Sequence, residues 1–226
     1  MTRYNFPQMR FLPRLLLSLA LLAAALPAAA EGDDAAALLL VAHPAFRDLD
    51  YRQTVLLAAP IPSGGHVGVI VNRPTRSPLS ALFPEHGPSK KVLEPVYIGG
   101  PFSRGALVAV VRRDSSPGQG SLQMMKNLFM AFRVNTIDQI IETTPNDARY
   151  YVGHVVWRPG QLKDEIDRGV WSVLSADPDV IFRKDTENLW EELLLQTRRI
   201  RADAAPAPVQ AAAFAGAFSN VILPER

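Results

Sequence analysis

Arg3, Arg10 and Arg14 give the chain a basic start, and an apolar run follows from Leu15 to Leu26, interrupted only by Ser18. Pro27 ends that run, and Ala28-Ala29-Ala30 leads into the acidic Glu31-Gly32-Asp33-Asp34. A positive start, a short apolar centre and small residues at a cut site together describe a secretory signal over residues 1–30. The run is about 12 residues, well short of the ~20 that cross a bilayer, so no membrane span is expected once it is removed.

After the leader the pattern changes to short apolar blocks separated by turn residues. Ala35 to His43 is a continuous apolar run, expected to be a strand buried on both faces, and Thr54 to Ala59 is expected to be the second strand. Pro60 to Gly65 is a turn cluster before a third strand, His66 to Asn72, so an antiparallel hairpin is predicted. The intervening Pro44 to Gln53 is polar and reads as a loop or short helical turn. Pro78 to Phe83 predicts a short helix. Val96 to Ile98, Ala106 to Val111 and Arg149 to Trp157 predict strands, the last of them central.

Residues 119–134 fit neither period. Thr136 is expected to cap a helix running to about Thr143 with Ile137, Ile140 and Ile141 on one face. Pro159 is placed in the first turn of a helix over Gln161 to Arg168 that stops at Gly169. A short strand over Trp171 to Leu174, a brief helix from Pro178 to about Phe182 and an amphipathic helix from Thr186 to Arg199 complete the order. No internal repeat is visible. Strands and helices mix without βαβ alternation, which points to an α+β fold with a mixed, largely antiparallel sheet. The organisation is a signal over 1–30, a domain over 31–200 and an Ala/Pro-rich tail over 201–226.

Charge changes the picture once the leader is removed. The whole chain has a formal charge of +2, and without the leader's three arginines it becomes −1. A nucleic-acid partner would call for a basic excess or stripe, and the domain has neither. Cysteine is absent, which excludes disulfides, thiolate catalysis and cysteine-held metal.

Candidate chemistry is sparse. His43, His66, His86 and His154 lack the close spacing of a local metal motif, and no G-x-S-x-G elbow or phosphate-cradling glycine loop occurs. Asp164 and Glu165 are neighbours on a predicted helix and do not face each other as an acid/base pair. No cofactor or metal is expected. A hydrolase or transferase using His43 or His154 with a carboxylate brought near by folding is the enzymatic alternative.

What stands out is an ordered series of short motifs. They are His43-Pro44 followed by Asp48, then Gln53-Thr54-Val55, then Val67-Gly68-Val69 running into Asn72-Arg73-Pro74. Gly99-Gly100-Pro101 and Trp157-x-x-Gly160-Gln161-Leu162-x-x-Glu165 follow. This order and spacing resembles the AlgH (YqgE) family of bacterial proteins from about Leu38 to Phe182. The resemblance implies a mixed sheet curled into a pseudo-barrel with helices around it, and no established enzymatic activity. It also implies a binding or regulatory role for Asn72, Arg73, Pro74, Gly99, Gly100, Pro101, Trp157, Gly160, Gln161, Leu162 and Glu165, which would also serve the fold.

The chain departs from the family pattern at Ala59-Pro60, where relatives tend to carry Glu-His, and at His154 and Val156, where tyrosine and glycine are usual. It departs again at Val110-Val111 or Arg112, where Leu-His often follows the G-G-P strand.

Physical roles can be assigned in advance. Asn72 is expected to close an Asx-turn and hold Arg73 outward. Gln161 should bond a neighbouring loop, and Trp157 should be an apolar anchor with one N–H donor. The expected function is an exported, non-enzymatic domain that binds a protein or a small polar ligand. Its expected location is periplasmic or secreted, and cytoplasmic if translation starts downstream of Met1.

Overall fold

The structure, a computed structural model, describes residues 37–204; the expected signal and residues 205–226 of the expected tail lie outside them, while residues 201–204 are helical. Ten strands are formed: β1 Leu38–Ala42, β2 Val55–Pro60, β3 His66–Ile70, β4 Pro74–Pro78, β5 Pro95–Ile98, β6 Phe102–Arg112, β7 Ser121–Met125, β8 Leu128–Ala131, β9 Ala148–Trp157 and β10 Trp171–Ser175. Five helices accompany them: α1 Leu79–Leu82, α2 Val134–Thr143, α3 Gln161–Asp167, α4 Pro178–Ile181 and α5 Leu189–Ala204. A 3₁₀ turn spans Gly87–Lys91.

The strands run in the order β10-β1-β2-β3-β9-β6-β8-β7, antiparallel throughout. β5 adds a parallel pairing to β9 and carries β4 on its other edge. β9 therefore meets three strands, with β6 along one side and β5 then β3 along the other. The predicted β2–β3 hairpin forms with Leu56 opposite Ile70.

Why β1 and β2 are apolar on both faces follows from what covers them. Leu39, Val41, Leu57 and Ala59 look into the interior of the sheet, packed with Val108, Val110 and Met130 from the far arm. Their neighbours Leu40, Ala42, Leu56 and Ala58 look outward under Trp157, Trp171 and Leu162 of α3. One cluster drawn from both arms of the sheet requires it to curl, and the N–H of Ala37 donates to the carbonyl of Met124 at 3.1 Å, joining the start of β1 to β7. The result is an α+β half-barrel. Leu189, Leu193 and Leu194 of α5 fill its interior, and α2 covers the outside of β6, β8 and β9 with Ile137, Ile140 and Ile141.

Arg149 crosses from β9 to the α4 turn with its side chain completely buried. Its Nε donates to Glu94 at 2.8 Å, and Nη1 and Nη2 donate to the carbonyls of Ile181 and Arg183 at 2.6 and 3.0 Å. The guanidinium also lies 4.4 Å above the ring of Tyr97. A charge with no access to water is tolerated because every side of it is answered.

Several local expectations are corrected. Residues 119–134 contain a hairpin, β7 to β8, whose turn rests on Lys126 and Asn127, with Asn127 at φ 61°. Thr136 does not cap α2, because the helix begins at Val134 and the Thr136 hydroxyl donates to Gln119 O at 2.6 Å. Pro159 lies before α3, since Gly160, at φ 80°, is the residue that turns the chain into the helix. β4 is an additional strand; its two end prolines suit an edge that pairs only with β5. No helix among the described residues is long and apolar enough to cross a membrane.

Candidate functional site

The motif residues gather around one loop, Pro44 to Gln53, and hold it from both ends. Asn72 follows β3, and its side chain reaches across to the chain before β2. Its Oδ1 accepts the Val55 N–H at 2.9 Å and its Nδ2 donates to Gln53 O at 3.0 Å. Gln53 is left-handed, at φ 55°, and the amide satisfies backbone groups that this conformation takes out of the ladder. Asn72 is thus a long-range strut and not an Asx-turn.

Arg73 is likewise not held outward. Its guanidinium folds over the loop, Nη1 donating to Asp50 O at 2.7 Å and Nη2 to the carbonyls of Leu49 and Arg52 at 3.3 and 3.2 Å. Burial lowers its pKa and Asp50 opposes that shift, with the guanidinium remaining a cation. Pro74 begins β4 opposite Tyr97.

Gly99 and Gly100 are required by close approach. A Cβ on Gly99 would stand 2.2 Å from Gly153 O, and one on Gly100 would stand 2.4 Å from His154 O. Gly99 donates its N–H to Val152 O and accepts from Ile70 N–H, both at 2.8 Å, which knits β3, β5 and β9 at one point. Beside this junction is a cavity of about 200 Å³ walled by Ile70, Ile98, Gly100, Pro101 and Val152, with Asp50, Arg73 and Arg104 as its polar groups. Nη2 of Arg104 lies 3.1 Å from both carboxylate oxygens of Asp50, and both side chains are well exposed.

The other end of the loop meets the tryptophan motif. Glu165 accepts the indole N–H of Trp157 at 2.9 Å and of Trp171 at 2.8 Å on Oε2, and the Gln161 amide at 3.0 Å on Oε1. Gln161 in turn accepts the Arg158 N–H at 3.1 Å, fixing the turn that enters α3, while Leu162 is buried beneath. Gly160 has open space where a Cβ would stand, so its left-handed φ is what selects glycine there.

Phe46 and Tyr51 of the loop present edges to Trp171 at 5.3 and 6.0 Å and stack on each other at 5.8 Å. Burial, then the carboxylates of Asp48, Asp50 and Glu165, push the Tyr51 hydroxyl up to about 12. Tyr51 is therefore a neutral phenol packed against Phe46 and Trp171. Sequence reasoning singled out neither Asp50, Tyr51, Arg104 nor Trp171; only the fold sets them beside the motifs.

The histidines fall elsewhere. His43 is exposed, and its Nδ1 accepts the Ala45 N–H at 3.2 Å. His154 is wedged between Phe102 and Phe132 at 5.1 and 5.8 Å, and burial lowers its pKa. Among the described residues, the histidine that lies against a carboxylate is His86, 2.9 Å from Asp138.

The AlgH-like family model (DUF179) matches residues 39–200. A UPF0301 protein of Thermobifida fusca is 32% identical over 165 residues, covering 69% of this chain and 83% of its own. One from Methylococcus capsulatus is 31% identical over 159 residues, covering 69% and 87%. Among solved structures, a Corynebacterium diphtheriae protein superposes with a TM-score of 0.59 at 23% identity, over 72% of this chain and 86% of that one. The AlgH protein of Pseudomonas aeruginosa gives a TM-score of 0.59 at 22% identity, over 78% and 96%, and shares the fold. Motif order, half-barrel architecture and these matches agree, and the chain belongs to the AlgH-like family.

Proposed function

We propose that this protein is an exported member of its family that works as a binding domain without chemistry of its own, taking a small carboxylate-bearing ligand in the Arg73–Arg104 cleft. The observation that carries this reading is that Arg73 of the first motif and Gly100 and Pro101 of the second line one cavity of about 200 Å³ together with Asp50 and Arg104. Asp50 already offers Arg104 a carboxylate with both oxygens at 3.1 Å, the contact an incoming acid would replace. An exposed ion pair of this kind is worth only about 0–1 kcal/mol, so a ligand exchanges with Asp50 at little cost. Ile98, Pro101 and Val152 supply the apolar wall that small-ligand sites share.

A binding rather than catalytic role is supported by how the motif side chains are used. Glu165, Gln161 and Asn72 are committed to indole, amide and backbone partners. Export is supported by the order of basic, apolar and small residues over 1–30.

The test is titration of the purified, isotope-labelled protein with acetate, succinate and citrate, followed by amide shifts. Saturable shifts confined to the surroundings of Asp50, Ile98, Gly100 and Arg104 are expected for at least one acid. Arg104→Ala should keep the folded spectrum and weaken that binding by up to ~5-fold, the ~1 kcal/mol at the upper end for an exposed pair. No saturable response in the wild type, or equal affinity in Arg104→Ala, would overturn the reading.

A further inference from the structure

We infer that His86, Asp138 and Glu142 form a binding site for a divalent transition-metal ion of the zinc class, separate from the Arg73–Arg104 cleft. Their ligand atoms all lie within 4.8 Å of one another, with His86 Nε2 already 2.9 Å from Asp138 Oδ1. Zinc held at about 2.0–2.2 Å by nitrogen and carboxylate ligands sets neighbouring ligand atoms about 3.4 Å apart. An ion therefore enters with His86 and Asp138 parting by about half an ångström, the Glu142 carboxylate being already within 4.8 Å of both.

The three groups are held by independent parts of the fold. His86 precedes the 3₁₀ turn Gly87–Lys91, and its backbone is fixed on both sides. Its N–H donates to Phe83 O at 3.1 Å, and its carbonyl accepts from the Ser89 N–H at 3.2 Å and the Ser89 hydroxyl at 2.7 Å. Asp138 and Glu142 stand at i and i+4 on α2, one above the other on its exposed side. The burial of Ile137, Ile140 and Ile141 beneath the helix fixes which way that side faces.

The donor set decides the class of ion. An imidazole with two carboxylates suits zinc and its transition-metal neighbours, whereas calcium and magnesium favour all-oxygen shells. Two carboxylates also balance the charge of a dication. Three protein ligands leave a fourth position for water or a ligand, the arrangement of zinc sites that are not purely structural. Beside them lies a cavity of about 380 Å³ walled by Phe83, Leu107, Phe132 and Ile141, and His86 and Asp138 form part of its lining. An ion here would present its open position to an apolar chamber of ligand size. The competing account is that His86 and Asp138 are a surface ion pair and nothing more.

Calorimetric titration of the purified protein with Zn²⁺, and with Co²⁺ followed by its visible absorption, separates the two. Binding of one ion per chain is expected, with cobalt bands of low coordination number. His86→Gln should weaken it by ~100-fold or more, since even groups one step removed from a metal are worth 10–100-fold. Glu142→Gln, on the exposed side of α2, keeps the fold and should weaken it by ~10-fold or more, while His43→Gln should change nothing. Paramagnetic broadening by Co²⁺ should centre on residues around 86, 138 and 142. Weak uptake at several sites, or one-to-one binding that survives both His86→Gln and Glu142→Gln, would leave only the ion pair and overturn the inference.

Discussion

At the residue scale the side chain with most depending on it is Glu165. One carboxylate oxygen accepts two indole N–H groups from tryptophans that are 3% and 2% exposed, and the other accepts Gln161. The spacing Trp157-x-x-Gly160-Gln161-Leu162-x-x-Glu165 was legible in the chain, including the donor on Trp157. That Trp171 shares the same acceptor was not, because β9, α3 and β10 must first fold into place to bring it there. Each buried donor left without a partner costs about 1–3 kcal/mol, so Glu165→Ala should destabilise the protein by about 2–4 kcal/mol in urea unfolding. Glu165→Gln should recover only part of this, because its amide turns one acceptor into a donor facing a donor. A loss under about 1 kcal/mol for the alanine variant would mean that water reaches both indoles, and the cluster would not be a closed one. Asn72 and Arg73 carry the same lesson: sequence marked them, but their partners lie some 20 residues back in a loop whose path no local pattern specifies.

Elements with a clear period were readable, and those defined by what they pair with were not. The apolar runs of β1, β2 and β9 and the isoleucine face of α2 declare themselves through burial. β7 and β8 turn through Lys-Asn rather than Asn-Gly, and β4 is a proline-ended edge, so neither carries a hairpin signal. The junction of β3, β5 and β9 was half visible. Gly99-Gly100 announced a close approach, whereas its counterpart, Gly153, sits inside what reads as an ordinary strand. Gly153 is left-handed at φ 71°, and a Cβ there would stand 2.3 Å from Gly100 O, so strain and clash act together. Gly153→Ala should cost about 3 kcal/mol or more, seen as a large fall in thermal midpoint or loss of soluble protein. Gly105→Ala is the matched control, since no atom lies within 4 Å of its Cβ position and its backbone is ordinary. That change should be neutral or stabilise β6 by about 0.5–1 kcal/mol. Equal effects at the two positions would mean that the junction is not the constraint its geometry describes.

At the scale of the whole molecule, the curl was expected from the family resemblance, and the half-barrel bears it out through one interior cluster fed from both arms. The site was only partly readable, because two motif groups far apart in the chain act on a loop between them, and distance in sequence hides that. Location is the remaining question at this scale. The described domain begins at Ala37, whose N–H closes the half-barrel onto Met124. Cleavage after Ala30 would leave residues 31–36 as a short lead and keep that bond, whereas trimming beyond Ala37 would remove it. Cleavage after Ala30 would also remove three arginines and turn a formal +2 chain into one of −1. Under the proposed export, the whole chain expressed in a Gram-negative host should yield a periplasmic protein whose N-terminal sequence starts at Glu31. Ala28→Asp with Ala30→Asp, which spoils the small residues at the cut, should leave the uncleaved chain at the membrane. Recovery of cytoplasmic protein that keeps residues 1–30, or that starts at Met9, would rule export out.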